Sequence, residues 1–159
     1  MVTFDFLMKK VKLNNEIHEC VEKELSTAEH ELLSQAKKSA THAYAPYSKF
    51  KVGSAVLLGN GKIISGNNQE NAAYPSGLCA ERVALFFASS QHPKEKIKAI
   101  AITNVPCGAC RQAILEYETK QKYPVRIIMR KENKILISDG IGNLLPLSFS
   151  ASALKRNNI

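Results

Sequence analysis

The sequence predicts an α/β fold: a three-layer α/β/α sandwich around a mixed, five-stranded sheet. Three observations predict it. Short apolar, partly β-branched segments alternate with longer segments of helical periodicity. Their order, α-β-β-α-β-α-β-β, places helices between strands, so they must cover the faces of a mixed sheet. The chain has 159 residues and shows neither a repeat nor a Pro/Gly-rich linker, which suits one compact domain. A domain of this size buries roughly 70% of the surface its unfolded chain exposes, so it needs no disulfide staples.

Residues 1–25 are polar, Lys/Glu-rich and weakly patterned; they are expected to form an N-terminal extension, in part helical, ahead of a single domain over 26–159. Ser26-Thr27-Ala28-Glu29 fits a capping box, in which the Ser oxygen accepts from the amide three residues on and the Glu reaches back. Leu32, Leu33, Ala36, Ala40 and Ala43 follow at helical spacing, predicting a helix over 26–43 that Ala45-Pro46-Tyr47-Ser48 stops. Phe50 to Leu58 reads as a strand. Gly59-Asn60-Gly61 then signals a hairpin, because Asn and Gly tolerate positive φ, and Lys62 to Asn67 returns as the second strand. Residues 80–90 read as a helix, Ile97 to Thr103 as a third strand and 108–120 as a helix. Val125 to Met129 and Lys134 to Ser138 complete the strands, before an irregular tail.

Composition excludes some roles. No apolar run of about 20 residues is present to span a membrane. The short apolar opening is interrupted by Asp5 and followed, not preceded, by Lys9 and Lys10, the reverse of a secretory signal. A cytoplasmic location and no membrane partner are therefore expected. The net charge of +8 raises nucleic-acid binding. The lysines are scattered, however, without interleaved aromatics, as a solvated surface would have them, and no nucleic-acid partner is expected.

Two stretches carry chemistry: Cys79-Ala80-Glu81 and Pro106-Cys107-Gly108-Ala109-Cys110. Each lies at a predicted helix start, where free backbone N–H groups and the helix dipole stabilise thiolates. Cys107 and Cys110 are spaced to reach one ion. A structural zinc site uses four ligands; three leave a position for water, which zinc acidifies into a nucleophile near neutral pH. Glu81, two residues past a ligand, is then placed for proton transfer. Other readings stay open from these residues alone. Cys107 and Cys110 could be a redox pair. A structural zinc could take a fourth ligand from Cys20, His18, His30, His42 or His92. Glu81 could be an ordinary helix-start acid.

Longer matches narrow the choice. Tyr44-Ala45-Pro46-Tyr47-Ser48-Lys49-Phe50-Lys51-Val52-Gly53, Asn68-Gln69-Glu70-Asn71-Ala72-Ala73-Tyr74, Cys79-Ala80-Glu81-Arg82-Val83-Ala84, Pro106-Cys107-Gly108-Ala109-Cys110-Arg111-Gln112 and the late Leu144-Leu145-Pro146 with Phe149 occur in that order. Over nearly all the chain after residue 26, this resembles the homotetrameric zinc-dependent cytidine deaminases. The resemblance implies one zinc per subunit on Cys79, Cys107 and Cys110, with Glu81 as the catalytic proton carrier. It implies a free nucleoside as substrate, since polynucleotide and nucleotide deaminases typically carry His at the first ligand position, here Cys79. It further implies ribose contacts from Asn68 and Glu70 and a base-packing Phe50. Ala80 would also touch substrate. Tyr74 and Phe149 would enter a neighbouring subunit's site, and Arg82 would hydrogen-bond the thiolates. A homotetramer and a role in pyrimidine salvage are implied in the same way. Deaminases of cytosine-containing antibiotics such as blasticidin S share the length and the three-Cys motif, and a non-catalytic zinc-structural or nucleic-acid-binding module is the rival of another class. Two departures stand out. Only Asn104-Val105 separate Thr103 from Pro106, where the family usually has a longer segment, and Lys51 stands where Pro or Arg is common.

Overall fold

The computed structural model describes residues 9–154. Its strands are β1 (His18–Cys20), β2 (Gly53–Leu58), β3 (Ile63–Asn67), β4 (Ile97–Ile102), β5 (Arg126–Lys131) and β6 (Lys134–Asp139). Its α-helices are α1 (Thr27–Ala40), α2 (Ala80–Gln91) and α3 (Gly108–Gln121). All six strands join one sheet in the order β1-β6-β5-β4-β2-β3. The sheet is mixed, as expected, but has six strands rather than five. The additional strand is β1, inside the segment read as a polar extension, and it pairs antiparallel with β6 through His18↔Ile137, Glu19↔Leu136 and Cys20↔Ile135. Three residues held by backbone pairing carry no alternation for a periodicity argument to detect. A 3₁₀ turn, not an α-helix, follows at Glu22–Glu24.

The other boundaries shift for local reasons. The capping box forms as expected: Ser26 Oγ accepts from the Glu29 amide, and Glu29 Oε2 accepts from the Ser26 amide at 2.9 Å. Helix α1 ends at Ala40, where the Thr41 hydroxyl donates to the Lys38 carbonyl at 2.7 Å and closes a turn. Strand β2 starts at Gly53 rather than Phe50. Asn68 takes the intervening backbone groups, accepting from the Val52 amide at 2.7 Å and donating to the Phe50 carbonyl at 2.9 Å. The β2–β3 hairpin turns at Gly61, whose φ of 86° suits glycine.

Strand alternation sorts the core into two layers. On one face Ala55, Ala99, Ala101, Ile128, Ile135 and Ile137 meet Leu32, Leu33 and Ala36 of α1. On the other, Val56, Leu58, Ile100, Ile102, Ile127 and Met129 meet Ala84, Leu85 and Ala88 of α2 and Ile114 of α3. This is the expected three-layer sandwich.

Strand direction then places the site. Strands β3 and β4 each run antiparallel to β2, and β5 runs parallel to β4. Hence β3 and β4 end at the same edge of the sheet. The segments leaving them lead into α2 and α3, so both helix N-termini open at that edge. The loop entering β2 lies there too. In open α/β sheets the carboxyl ends of strands are where ligands bind. Glycine allows one of these approaches: a Cβ on Gly66 of β3 would stand 2.5 Å from the Ala84 amide nitrogen and 2.9 Å from the Ala80 carbonyl oxygen.

Candidate active site

Cys79 is the N-cap of α2 and Cys107 the N-cap of α3. Cys79 is pinned by the preceding loop, which closes on itself: Gln69 and Leu78 exchange backbone hydrogen bonds of 2.8 and 2.9 Å. Cys110 sits in the first turn of α3 and is buried. The three sulfurs lie within 4.8 Å of one another. Cys79 and Cys107 Sγ are 3.9 Å apart, against about 3.8 Å for two sulfurs on a tetrahedral zinc with Zn–S near 2.3 Å. The donor set and its spacing fit one zinc ion, with three protein ligands and no fourth cysteine or histidine in the cluster among the described residues.

The electrostatics agree. The Cys79 thiol is pushed down to about 5 by hydrogen bonding from Cys110, with Arg82 and Cys107 adding to the effect. Cys110 moves up, because it holds the shared proton and is buried. Arg82 points Nη2 at the Gly77 carbonyl (3.3 Å) and at Cys79 Sγ (4.0 Å), and its Nε is buried with no partner among the described residues. A guanidinium left partly unsatisfied beside sulfur is suited to thiolates, not to neutral thiols.

Glu81 is 4% exposed. Burial pushes its carboxyl above the usual range, and the Cys79 charge adds to this. It lines a cavity of ≈210 Å³ with Phe50, Val52, Asn68, Cys79, Asn104, Val105 and Cys107. A wider groove of ≈460 Å³ adjoins it through Asn68 and Cys79 and runs past Tyr47, Ser48, Glu70, Tyr74 and Arg82. One edge of the sheet therefore gathers Phe50, Asn68, Glu70, Tyr74, Cys79, Ala80, Glu81, Arg82, Cys107 and Cys110. Asn68 and Glu70 also do structural work. Asn68 clamps Phe50 and Val52, and Glu70 accepts from the Tyr47 amide at 2.9 Å, the Ser48 amide at 3.2 Å and the Ser48 hydroxyl. Tyr74 is 75% exposed, edge-on to Tyr47 with centroids 6.3 Å apart. Phe149 lies outside both cavities, 61% exposed, its carbonyl accepting from Gln112 Nε2 at 2.8 Å. Asn104 and Val105, the short segment noted before Pro106, form one wall of the smaller cavity. Their position directly before Pro106-Cys107 was the available signal.

The family model for the cytidine and deoxycytidylate deaminase zinc-binding region matches residues 26–125. The chain belongs to this family. It is 40% identical over 129 residues to a cytidine deaminase of Sporosarcina psychrophila, covering 77% of this chain and 92% of that protein. It is 34% identical over 134 residues to a cytidine deaminase of Mycobacterium tuberculosis, covering 79% and 92%. Among solved structures, the cytidine deaminase of Burkholderia pseudomallei superposes with a TM-score of 0.68 at 38% identity, over 76% of this chain and 98% of that one. As a zinc-binding deaminase, the protein has in Cys79, Cys107 and Cys110 the cluster suited to its one metal ion. No helix among the described residues is long and apolar enough to cross a membrane.

Proposed function

We propose that the protein hydrolyses free cytidine, and deoxycytidine, to uridine and deoxyuridine with release of ammonia, as a cytoplasmic enzyme of pyrimidine salvage acting as a homotetramer. The observation that carries this reading is a buried carboxyl, Glu81, in one small cavity with an aromatic ring and two cysteines of the three-thiol cluster. A structural metal site has no use for that carboxyl. The curated relatives are themselves named cytidine deaminases.

Zinc, when bound, supplies a Lewis acid that makes water a nucleophile near neutral pH. Glu81 takes the proton that water gives up, delivers it to N3 of the cytosine ring, and carries the second proton to the amine leaving C4. Burial raises its carboxyl above the usual range, which favours the protonated form it must adopt between the two transfers. Phe50 packs against the base, and Ala80, at the first position of α2, borders it. Asn68, where the two cavities join, and Glu70, in the wider groove, meet the ribose hydroxyls. Arg82 offsets the net negative charge that three thiolates leave on a divalent ion. Tyr74 and Phe149 are assigned to neighbouring subunits' sites.

Ammonia release from cytidine by zinc-loaded protein tests the reading, with Glu81→Gln alongside. Wild-type turnover and a loss of about 10²–10⁴-fold in the variant, with zinc retained, are expected. A folded, zinc-loaded wild type that leaves cytidine untouched overturns it; blasticidin S, run in the same assay, then distinguishes an antibiotic deaminase from a protein without this chemistry.

A further inference from the structure

We infer that Ser48 is a positioning residue for the sugar: its hydroxyl fixes Glu70 against the backbone of Phe50, so that ribose and base are held in one register; the inference rests on the cytidine reading above. The hydroxyl bonds in two directions. It donates to Glu70 Oε1 and accepts from the Phe50 amide at 3.0 Å. Glu70 lines the wider groove and Phe50 the smaller cavity, so this one group ties a wall of each to the other. The backbone bends to allow it. Lys49, between Ser48 and Phe50, has a φ of 59°, in the left-handed region that a non-glycine residue keeps only where its surroundings hold it. Its amide donates to the Ala45 carbonyl at 3.1 Å. Two further bonds lace this turn to the stretch after β3. The Tyr44 amide donates to the Asn68 carbonyl at 3.0 Å, and the Glu70 amide donates to the Tyr44 carbonyl at 2.9 Å.

The acceptor sites of Glu70 are nearly all in use. A carboxylate offers about four lone-pair directions over its two oxygens. On Glu70, Oε2 takes the Tyr47 amide at 2.9 Å and the Ser48 amide at 3.2 Å, and Oε1 takes the Ser48 hydroxyl. That leaves Oε1 with room for a single sugar hydroxyl. Ser48 decides where that vacancy points, because its own proton occupies the other direction on the same oxygen. The Phe50 amide holds the serine oxygen still in its turn. The same bond, more than any other, keeps the Glu70 carboxyl below its usual range, and so ionised and able to accept. Without the hydroxyl, Glu70 stays on its two amides, but Oε1 is no longer aimed.

Cytidine and 2′,3′-dideoxycytidine, which lacks both ribose hydroxyls, compared on zinc-loaded protein, test this. Wild type should prefer cytidine at least about tenfold in kcat/KM, the scale of a hydrogen bond to a charged group. Ser48→Ala should lose most of that preference, with cytidine turnover suffering far more than dideoxycytidine turnover. A serine that merely supports the turn would lower both substrates alike, and equal losses overturn the inference. Ser48→Thr keeps the hydroxyl and should keep the preference; losing it as fully as Ser48→Ala counts against the hydroxyl. In a Glu70→Ala background, Ser48→Ala should cost cytidine turnover almost nothing further, because Ser48 acts through Glu70, whereas additive losses overturn that route. Wild type that converts both nucleosides equally well removes the ribose contact, and this inference with it. If wild type converts no cytidine at all, the underlying functional reading fails first.

Discussion

Arg82 is the cation set against the thiol cluster. Its Nε is buried without a partner among the described residues, and Nη2 reaches Cys79 Sγ at 4.0 Å. Its own ionised form is reinforced, because the cysteine charges outweigh the burial that opposes it. Removing the guanidinium leaves three thiolates to set the metal's charge alone. Arg82→Gln should therefore lower kcat about 10–100-fold, the usual range for groups that support metal ligands. Arg82→Lys should recover only part of that, since an ammonium lacks the planar fork. A variant with full activity and unchanged zinc content would sink the argument. The ligands and Glu81 were legible in the sequence because their chemistry is written in spacing: Cys-x-Glu at one helix start, Cys-x-x-Cys at another. Asn104 was legible only as part of a short segment before Pro106; what its side chain faces depends on where β4 delivers it. The inward bonds of Asn68 and Glu70, which fasten Phe50 and the Tyr47–Ser48 turn, were equally hidden.

At the scale of elements, two contacts decide whether α2 and α1 keep their places. Gly66 lets β3 touch the backbone of α2, and neither Ala84 N nor Ala80 O can rotate away from a methyl group. Gly66→Ala should cost about 1–3 kcal/mol of stability in denaturant titrations. Because α2 begins at the Cys79-Ala80-Glu81 stretch, kcat should fall even at temperatures where the variant is folded. Normal kcat in the folded variant would show that α2 absorbs the shift without moving its start. Glu29 ties α1 to β5 and β6. It pairs with Arg126 at 2.6 Å, and Arg126 pairs with Asp139 at 2.5 Å. Burial works against ionisation of Glu29, but hydrogen bonds from Ser26 and Arg126 outweigh it and hold the carboxyl below the usual range. A carboxyl lowered by folding adds stability above its unfolded pKa of about 4.3, and that stability is lost as pH falls through the lower folded value. Glu29→Gln should be less stable than wild type at pH 7, and the gap should close below about pH 4. A pH-independent gap in urea midpoints would assign the loss to packing instead.

At the scale of the molecule, the sandwich was readable from the order of apolar strands and periodic helices, and alternation within β2 and β4 then sends Ala55 and Ala99 toward α1 and Val56 and Ile100 toward α2 and α3. What alternation cannot carry is a strand such as β1, fixed only by the backbone of β6, or the fate of aromatics that face outward. Tyr74, Phe87, Phe149 and Phe86 are 75%, 55%, 61% and 42% exposed on the single chain. Large apolar rings left in water on several sides are the mark of surfaces that meet other chains. The proposed homotetramer covers them and predicts a four-chain mass in sedimentation. Phe149 separates assembly from folding. Its segment is anchored through its carbonyl on Gln112, a bond that survives truncation of the ring. Phe149→Ala should therefore keep the fold and the zinc while turnover drops, if the ring acts in a second chain's cavity as proposed. The same variant should lose activity at higher protein concentrations than wild type when both are diluted. Kinetics identical to wild type at every concentration would remove Phe149 from the site and leave its exposure unexplained.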